Sequence, residues 1–383
     1  MKYWRGYIAA AIIAAITVAV TKFAEAHSVL VDMVYPYVSR LIVTTMADWS
    51  AGVDVCMWQI FAILLICAFV ASVVLLIIFR WNVAQWLGWV LAGVCLVWSL
   101  HTAVYGLNNY AGPLADDIRL KVKGYNVTEL TEATIYFRDQ VNALAEKVER
   151  NADGSAKFPS FEEMGEKASD GYASLTYDYS YSVFAGSDAP VKKLGWADMY
   201  TSMGIAGITM PLTGEAAVNP NIPGIITPFI MCHELAHRVC IASERDANFA
   251  AFLACRANDD PAFQYSGYFA AFRYCYNALS SISTTTATNA ARDIFAGLNE
   301  YVKKDLELYR DYLLENQDPT AVDFANTVND AYINASGDES GIQSYGQVCD
   351  LLVSWHVQEI YAPAHGETEE GFNPTDRNQV DLG

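Results

Sequence analysis

The stretch TPFIMCHELAHRVCIASERDANF, residues 227–249, carries two histidines four apart, His233 and His237, with Glu234 directly after the first. On a helix, residues at that spacing project from one face about one turn apart. Two imidazole nitrogens can then reach a single ion at the Zn–N distance of roughly 2.0–2.1 Å. Glu234 would stand beside a water polarised by that ion, in position to take its proton as the oxygen attacks a carbonyl. An isolated H-E-x-x-H pattern also occurs on ordinary solvated helix faces. Here the neighbours Phe229, Ile230, Leu235 and Val239 are apolar. They imply a partly buried helix, and two histidines and a glutamate are costly to bury without a partner. Thr227 suits the cap of this helix and Pro228 its first turn, where a missing N–H costs nothing.

A third protein ligand is required, and Glu244 and Asp246 in SERDANF are the candidates. In an unbroken helix Glu244 would lie about 10 Å along the axis from His237, beyond the reach of its side chain. The metal reading therefore requires the chain to turn within residues 238–243, with a second helix starting near Ser243. No glycine or proline marks that turn. In such a helix Asn248 lies one turn after Glu244, where it could bond a ligating imidazole and fix its tautomer; the alternative is an ordinary satisfied polar side chain.

Outward from this stretch, the 383-residue chain is 53% hydrophobic, more than one soluble domain needs. Three segments are apolar enough to cross a bilayer, at about residues 7–23, 58–79 and 86–104. The first runs into FAEA, which resembles a small-residue cleavage site, so a removed leader is its alternative reading. Lys2, Arg5 and Arg80 flank the spans and belong on the cytoplasmic side. Three crossings then leave residues 106–383 outside. The formal charge of −19 is concentrated after residue 110, where 19 Lys/Arg face 39 Asp/Glu. Such a surface repels phosphate backbones, which argues against nucleic acid as a partner.

The expected organisation is a transmembrane region over residues 1–105, an extracytoplasmic domain over 106–362 and a disordered acidic tail over 363–383. Asn126 with Glu129, and Ser160 with Glu163, carry the pattern of helix capping boxes. GITM at Gly207–Met210 reads as a short strand just before the metal helix. Beyond residue 280, apolar residues recur at three and four and predict core-forming helices. The five cysteines of the domain, Cys232, Cys240, Cys255, Cys275 and Cys349, contain no C-x-x-C pair and read as buried free thiols. His356 reads as a core or surface histidine, and Tyr265 and Tyr268 as packing residues.

The blocks GLNNYAGPLA, GIAGITMPLTGEAAVN, PFIMCHELAHRVCIASERDANFAAFLAC and YSGYFAAF, in that order, resemble the domain-of-unknown-function 3810 family of bacterial membrane proteins, predicted zinc metallopeptidases. The resemblance implies three N-terminal spans and an outer, mostly helical domain with a gluzincin-like site. It implies His233 and His237 as the first two zinc ligands and Glu234 as general base. It implies Glu244 and Asn248 as the two ends of an E-x-x-x-N pattern; in related gluzincins the first position of an E-x-x-x-D pattern is the third ligand, and this analogy selects Glu244 over Asp246. The chain departs from the family pattern in two places. RVCIAS stands where a glycine is usual after the second histidine, and E-R-D-A-N stands for E-x-E-A-N.

The sequence thus predicts a mainly α protein: three transmembrane helices, then a zincin-like helical domain with a small β element. Its expected function is that of a membrane-anchored zinc-dependent metallopeptidase acting on peptides or proteins, with Zn²⁺ as cofactor and the bilayer as partner. The alternative is a non-catalytic membrane receptor or scaffold with a structural or vestigial metal site. A protease with its metal helix inside the bilayer fits less well, because the apolar run Ile222–Met231 is too short to span and Arg238 follows it.

Overall fold

The structure, a computed structural model, describes residues 4–177, 181–335 and 344–364. The tail expected over residues 363–383 falls outside these from residue 365 onward. Four N-terminal helices, not three, are long and apolar enough to cross a membrane: α1 (Arg5–Ala26), α2 (Ser28–Ser50), α3 (Met57–Ile78) and α4 (Val83–Val104). α1, α3 and α4 correspond to the expected spans. The additional helix, α2, escapes a search for uninterrupted apolar runs because Asp32, Pro36, Arg40 and Asp48 divide it.

α1 and α4 run side by side in the same direction. Gly6 meets Gly88 so closely that a Cβ at Gly6 would lie 2.6 Å from the Trp89 nitrogen. At the other ends, Ala24 is buried with Leu107, just past α4. α3 and α4 form a hairpin, with the Trp86 indole donating to Ser72 Oγ at 3.1 Å. Arg5 and Arg80 therefore lie at one end of the group. The C-termini of α1 and α4 and the N-terminus of α3 lie at the other, where the remaining chain is built.

That remaining chain is mainly helical. A 3₁₀ turn (Gly106–Tyr110) leads to α5 (Leu114–Asp117), α6 (Val127–Ala145), α7 (Phe161–Lys167) and α8 (Asp170–Tyr177). Both capping boxes form as expected, Asn126 with Glu129 on α6 and Ser160 with Glu163 on α7. Then come β1 (Lys192–Lys193), α9 (Ala197–Ser202), β2 (Gly207–Met210), β3 (Glu215–Val218), α10 (Thr227–Arg238), α11 (Glu244–Ala257) and α12 (Pro261–Ser281). The chain continues through α13 (Thr285–Ala296), α14 (Glu300–Asn316), α15 (Pro319–Ala335), α16 (Ser344–Trp355), a π-helical stretch (His356–Tyr361) and α17 (Ala362–Ala364).

One continuous core joins α6, α10, α11, α12 and α16 through Phe137, Phe229, Phe249, Phe252, Phe269 and Leu352, all buried. α15 corrects the expectation of core-forming helices throughout this region: its Phe324 and Val328 stay exposed. The strands form a sheet in the order β1-β3-β2, β1 parallel and β2 antiparallel to β3. β2 is thus an edge strand. It packs beside α10, and β3 is buried on both faces.

The sheet is bonded to the N-terminal helices by a buried carboxylate. Glu215 on β3 accepts from the backbone N–H groups of Met57 and Trp58 at 2.7 and 2.9 Å. These are orphan donors at the start of α3, and a negative charge there is favoured by the helix dipole. Lys192 lies 2.7 Å from the same carboxylate and donates to the Ser50 carbonyl at 2.8 Å. Both side chains are at most 5% exposed. Lys192→Met would strand a buried charge, a loss of roughly 3–5 kcal/mol. Thermal unfolding in detergent is expected to show a clear fall in Tm, and a wild-type Tm would contradict the assignment.

Candidate metal centre

α10 begins differently from expectation. Thr227 is not its cap: the threonine hydroxyl donates backward to the Pro223 carbonyl at 3.0 Å. The free N–H of Phe229 goes instead to Ser266 Oγ on α12, at 3.1 Å. Pro228 sits in the first turn as expected. α10 is therefore fixed at its start by tertiary structure.

Its end supplies the required turn. Cys240 adopts a φ of 72°, in the left-handed region. Its N–H donates to the His237 carbonyl at 3.0 Å, and the Ile241 N–H reaches over it to the Ala236 carbonyl at 3.0 Å. This bond pair is the Schellman motif, which normally places glycine where Cys240 stands. The chain reverses, Ser243 accepts from the Asp246 N–H at 3.5 Å, and α11 starts at Glu244. The turn also reaches forward from α2, where Arg40 Nε donates to the Val239 carbonyl at 3.1 Å and Ser39 Oγ lies 3.2 Å from Cys240 Sγ.

The reversal brings three donors together. His233 Nε2 and His237 Nε2 are 3.2 Å apart, and the two Glu244 oxygens lie 3.3 Å from His233 and 3.6 Å from His237. Among the described residues these three form a cluster able to hold a metal ion. The donor set fits zinc, since ligand atoms arranged tetrahedrally at roughly 2.0–2.1 Å from an ion are separated by about 3.3–3.4 Å.

His237 Nδ1 lies 2.8 Å from the Ile241 carbonyl. A carbonyl only accepts, so Nδ1 carries the hydrogen and Nε2 offers a lone pair to the cluster. Burial opposes charge on His237, but Glu244 and Glu234 outweigh it and raise its pKa to about 9. Glu244 responds in the opposite sense: burial raises it, yet His237 and His233 hold it well below the usual carboxylate range. Each shift has the other group as a cause, so Glu244 and the imidazoles stabilise opposite charges on one another.

Glu234 stands beside this cluster without joining it. It is buried, and burial pushes its pKa up against the pull of His233, His237 and the Thr209 hydroxyl. Thr209 Oγ1 is 2.7 Å from Glu234 Oε2 and 2.8 Å from the Glu234 carbonyl oxygen. A Cβ at Gly207 would come within 2.7 Å of Glu234 Cγ and Cδ. The edge strand β2 thus positions the carboxylate with one hydroxyl and admits it through one missing side chain.

The other sequence candidates separate clearly. Asp246 lies outside the cluster and accepts from the Leu114 N–H at 3.0 Å. Asn248 is buried one turn after Glu244, but its oxygen accepts from Tyr274 at 3.1 Å and His233 Nδ1 has no hydrogen-bond partner. The expected Asn248–imidazole bond is therefore absent from this structure. Tyr265 donates to Asp305 at 2.6 Å and Tyr268 meets the Tyr136 hydroxyl at 3.4 Å. His356 is buried beside Tyr136, away from the cluster, and burial lowers its pKa to about 4. All five domain cysteines are free and buried.

One neighbour of the cluster has no reading in the sequence. Tyr105, at the end of α4, brings its hydroxyl within 3.4 Å of His237 Nδ1 and 3.5 Å of the Ile241 carbonyl. Tyr105 stands directly before the block GLNNYAGPLA, whereas Gly207 and Thr209 lie inside the predicted strand Gly207–Met210; what the sequence does not signal is their contact with His237 and Glu234.

Fold and site together define a mainly helical protein with apolar N-terminal helices of membrane-spanning length and a His-His-Glu cluster of metal-ligand type. Residues 31–353 match the family described as Protein of unknown function (DUF3810), and the chain belongs to that family. No curated protein and no solved structure matches it.

If the cluster binds zinc, elemental analysis of the purified full-length protein should find stoichiometric zinc in the wild type. Glu244→Ala and His233→Ala should lose it, whereas Asp246→Asn should keep it. Zinc retained by Glu244→Ala and lost from Asp246→Asn would exchange the two assignments.

Proposed function

We propose that the protein is a membrane-anchored zinc-dependent metallopeptidase, with His233, His237 and Glu244 as zinc ligands and Glu234 as general base. The observation that carries this reading is the separate position of Glu234. It lies next to the three-donor cluster, held by Thr209, and is not one of the donors. A structural zinc centre fills four positions with protein groups, whereas a catalytic one keeps a position open. Three His/Glu donors among the described residues match the second kind.

Zinc, when bound, supplies a Lewis acid that polarises a carbonyl and acidifies water. The chain's own residues do the rest. Glu234 takes a proton from the attacking water and delivers it to the departing peptide nitrogen, so the carboxylate ends the cycle as it began. Thr209 orients it, and its burial suits a base that must hold a proton briefly. The outer edge of β2 offers unpaired backbone groups beside Glu234, where an extended peptide can add as a further strand.

The anchoring reading rests on α1, α3 and α4, which share one apolar end carrying Arg5 and Arg80. Basic residues favour the cytoplasmic side, so the metal centre faces the outside. Glu234→Gln is expected to keep its zinc and to lose about 10²–10⁴-fold in cleavage of a peptide library. Gly207→Ala should also keep zinc and lose turnover, because its new methyl group displaces the carboxylate. Undiminished cleavage by Glu234→Gln would exclude the proposed base.

A further inference from the structure

α2 has the length and composition of a span, yet its contacts are those of a helix fastened along a domain. Asp32 accepts from the Gly112 N–H at 2.7 Å. Arg40 donates to the Ser182 carbonyl at 2.8 Å as well as to Val239. Ala47 packs against Gly214, where a Cβ would lie 2.7 Å from the Ala47 Cα. Asp48 accepts from Ser187 at 2.5 Å, and the Ser50 carbonyl from Lys192 at 2.8 Å. From Asp32 to Ser50 these contacts extend along about 27 Å of helix axis. That approaches the roughly 30 Å of a hydrocarbon core. A crossing α2 would carry the partner loops of the domain, with their polar backbone groups, into lipid.

Both ends of α2 also lie at the same end of the other helices. Its start is joined to α1 through His27 and is buried beside Leu107, beyond the C-terminus of α4. Its last turn leads to the N-terminus of α3 beside Glu215. The side turned away from the domain carries Leu30, Met33, Val34, Tyr37, Val38 and Leu41, all exposed. These fall on one helical face. Where the same face passes Thr44, Thr45 and Asp48 it becomes polar and meets the domain again, at the Gly186–Ser187 loop, so the lipid-facing stripe ends at Leu41.

We propose that α2 does not cross the bilayer but lies along its surface, with this stripe in contact with lipid hydrocarbon and the opposite face bound to the domain. Continuity selects lipid as the occupant: only His27 separates α2 from α1 and the stripe begins four residues after α1, whose Ile12, Ile16, Val20 and Phe23 are likewise exposed. An amphipathic helix in this position binds through its buried apolar area. The helix that touches lipid is then also the helix that holds Val239 and Cys240, in the turn between His237 and Glu244. The inference rests on the membrane-anchored reading and not on the hydrolytic one.

The test uses full-length protein in sealed proteoliposomes, with Cys67 and Cys95 replaced by serine and the remaining thiols buried. Single Ser28→Cys, Asp54→Cys and Trp81→Cys variants are exposed to a membrane-impermeant maleimide on either side. Ser28→Cys and Asp54→Cys should label from one side and Trp81→Cys from the other. Opposite sides for Ser28→Cys and Asp54→Cys would show that α2 crosses and overturn the proposal. Trp81→Cys on the same side as both would instead refute the α3–α4 crossing, leaving α2 as proposed. Nitroxides at Met33→Cys and Leu41→Cys should then show an oxygen-over-nickel collision ratio as high as that at Leu65→Cys on α3. A low ratio, or shielding from both quenchers by a protein on that face, would overturn the lipid contact.

Discussion

The left-handed conformation at Cys240 is the constraint on which the His233–His237–Glu244 cluster depends. Side chains on one straight helix diverge along its axis, so no carboxylate seven residues beyond His237 can meet the imidazoles unless the backbone reverses. An L-residue in the left-handed region costs roughly 1–2 kcal/mol. The two crossed backbone bonds offset this, as does the Arg40 guanidinium on the Val239 carbonyl, where a cation also suits the negative end of the helix dipole. The same turn orients the Ile241 carbonyl toward His237 Nδ1. One backbone conformation therefore brings Glu244 to the cluster and sets the tautomer of a second donor.

A second constraint joins the site to the N-terminal helices by two routes. Through α2 and Tyr105, helices of spanning length touch the turn and the His237 ring. Through Glu215, the start of α3 is bonded to β3, which pairs with β2, which holds Glu234 by the Thr209 hydroxyl. Hydrogen-bonded strands and a buried ion pair transmit displacement with little slack, because interiors are close-packed. The turn that brings Glu244 to the cluster and the carboxylate of Glu234 are thus held by different routes to the same bundle.

How much of this was legible follows from the range over which each signal acts. Helix spacing, capping boxes and the edge strand are local, and His233, His237, both capping boxes and Gly207–Met210 were readable directly. The choice of Glu244 over Asp246 came from family resemblance, since spacing alone only demanded a turn. Cys240 was opaque because propensity assigns left-handed turns to glycine, and tertiary contacts from Ser39 and Arg40 override that preference here. Thr227 failed as a cap for a similar reason: Ser266, on another helix, reached the free N–H first. α2 was missed because a span search counts apolar runs and gives no weight to a helix with one apolar face and one face fastened to protein.

The position of Gly207 brings these constraints to one point. Glu234 is confined from one side by the helix that carries it and from the other by β2, and the space between admits a carboxylate only because the strand lacks a Cβ there. A strand residue without a side chain weakens the strand, and β2 is already the edge of a small sheet. Stability alone would favour a β-branched residue at that position. Keeping glycine leaves a buried acid whose side chain has, among the described residues, a single hydroxyl partner beside the His233–His237–Glu244 cluster. A fold selected only for rigidity would have paired that acid or replaced it with an apolar group, so the arrangement agrees with the proton exchange proposed for Glu234.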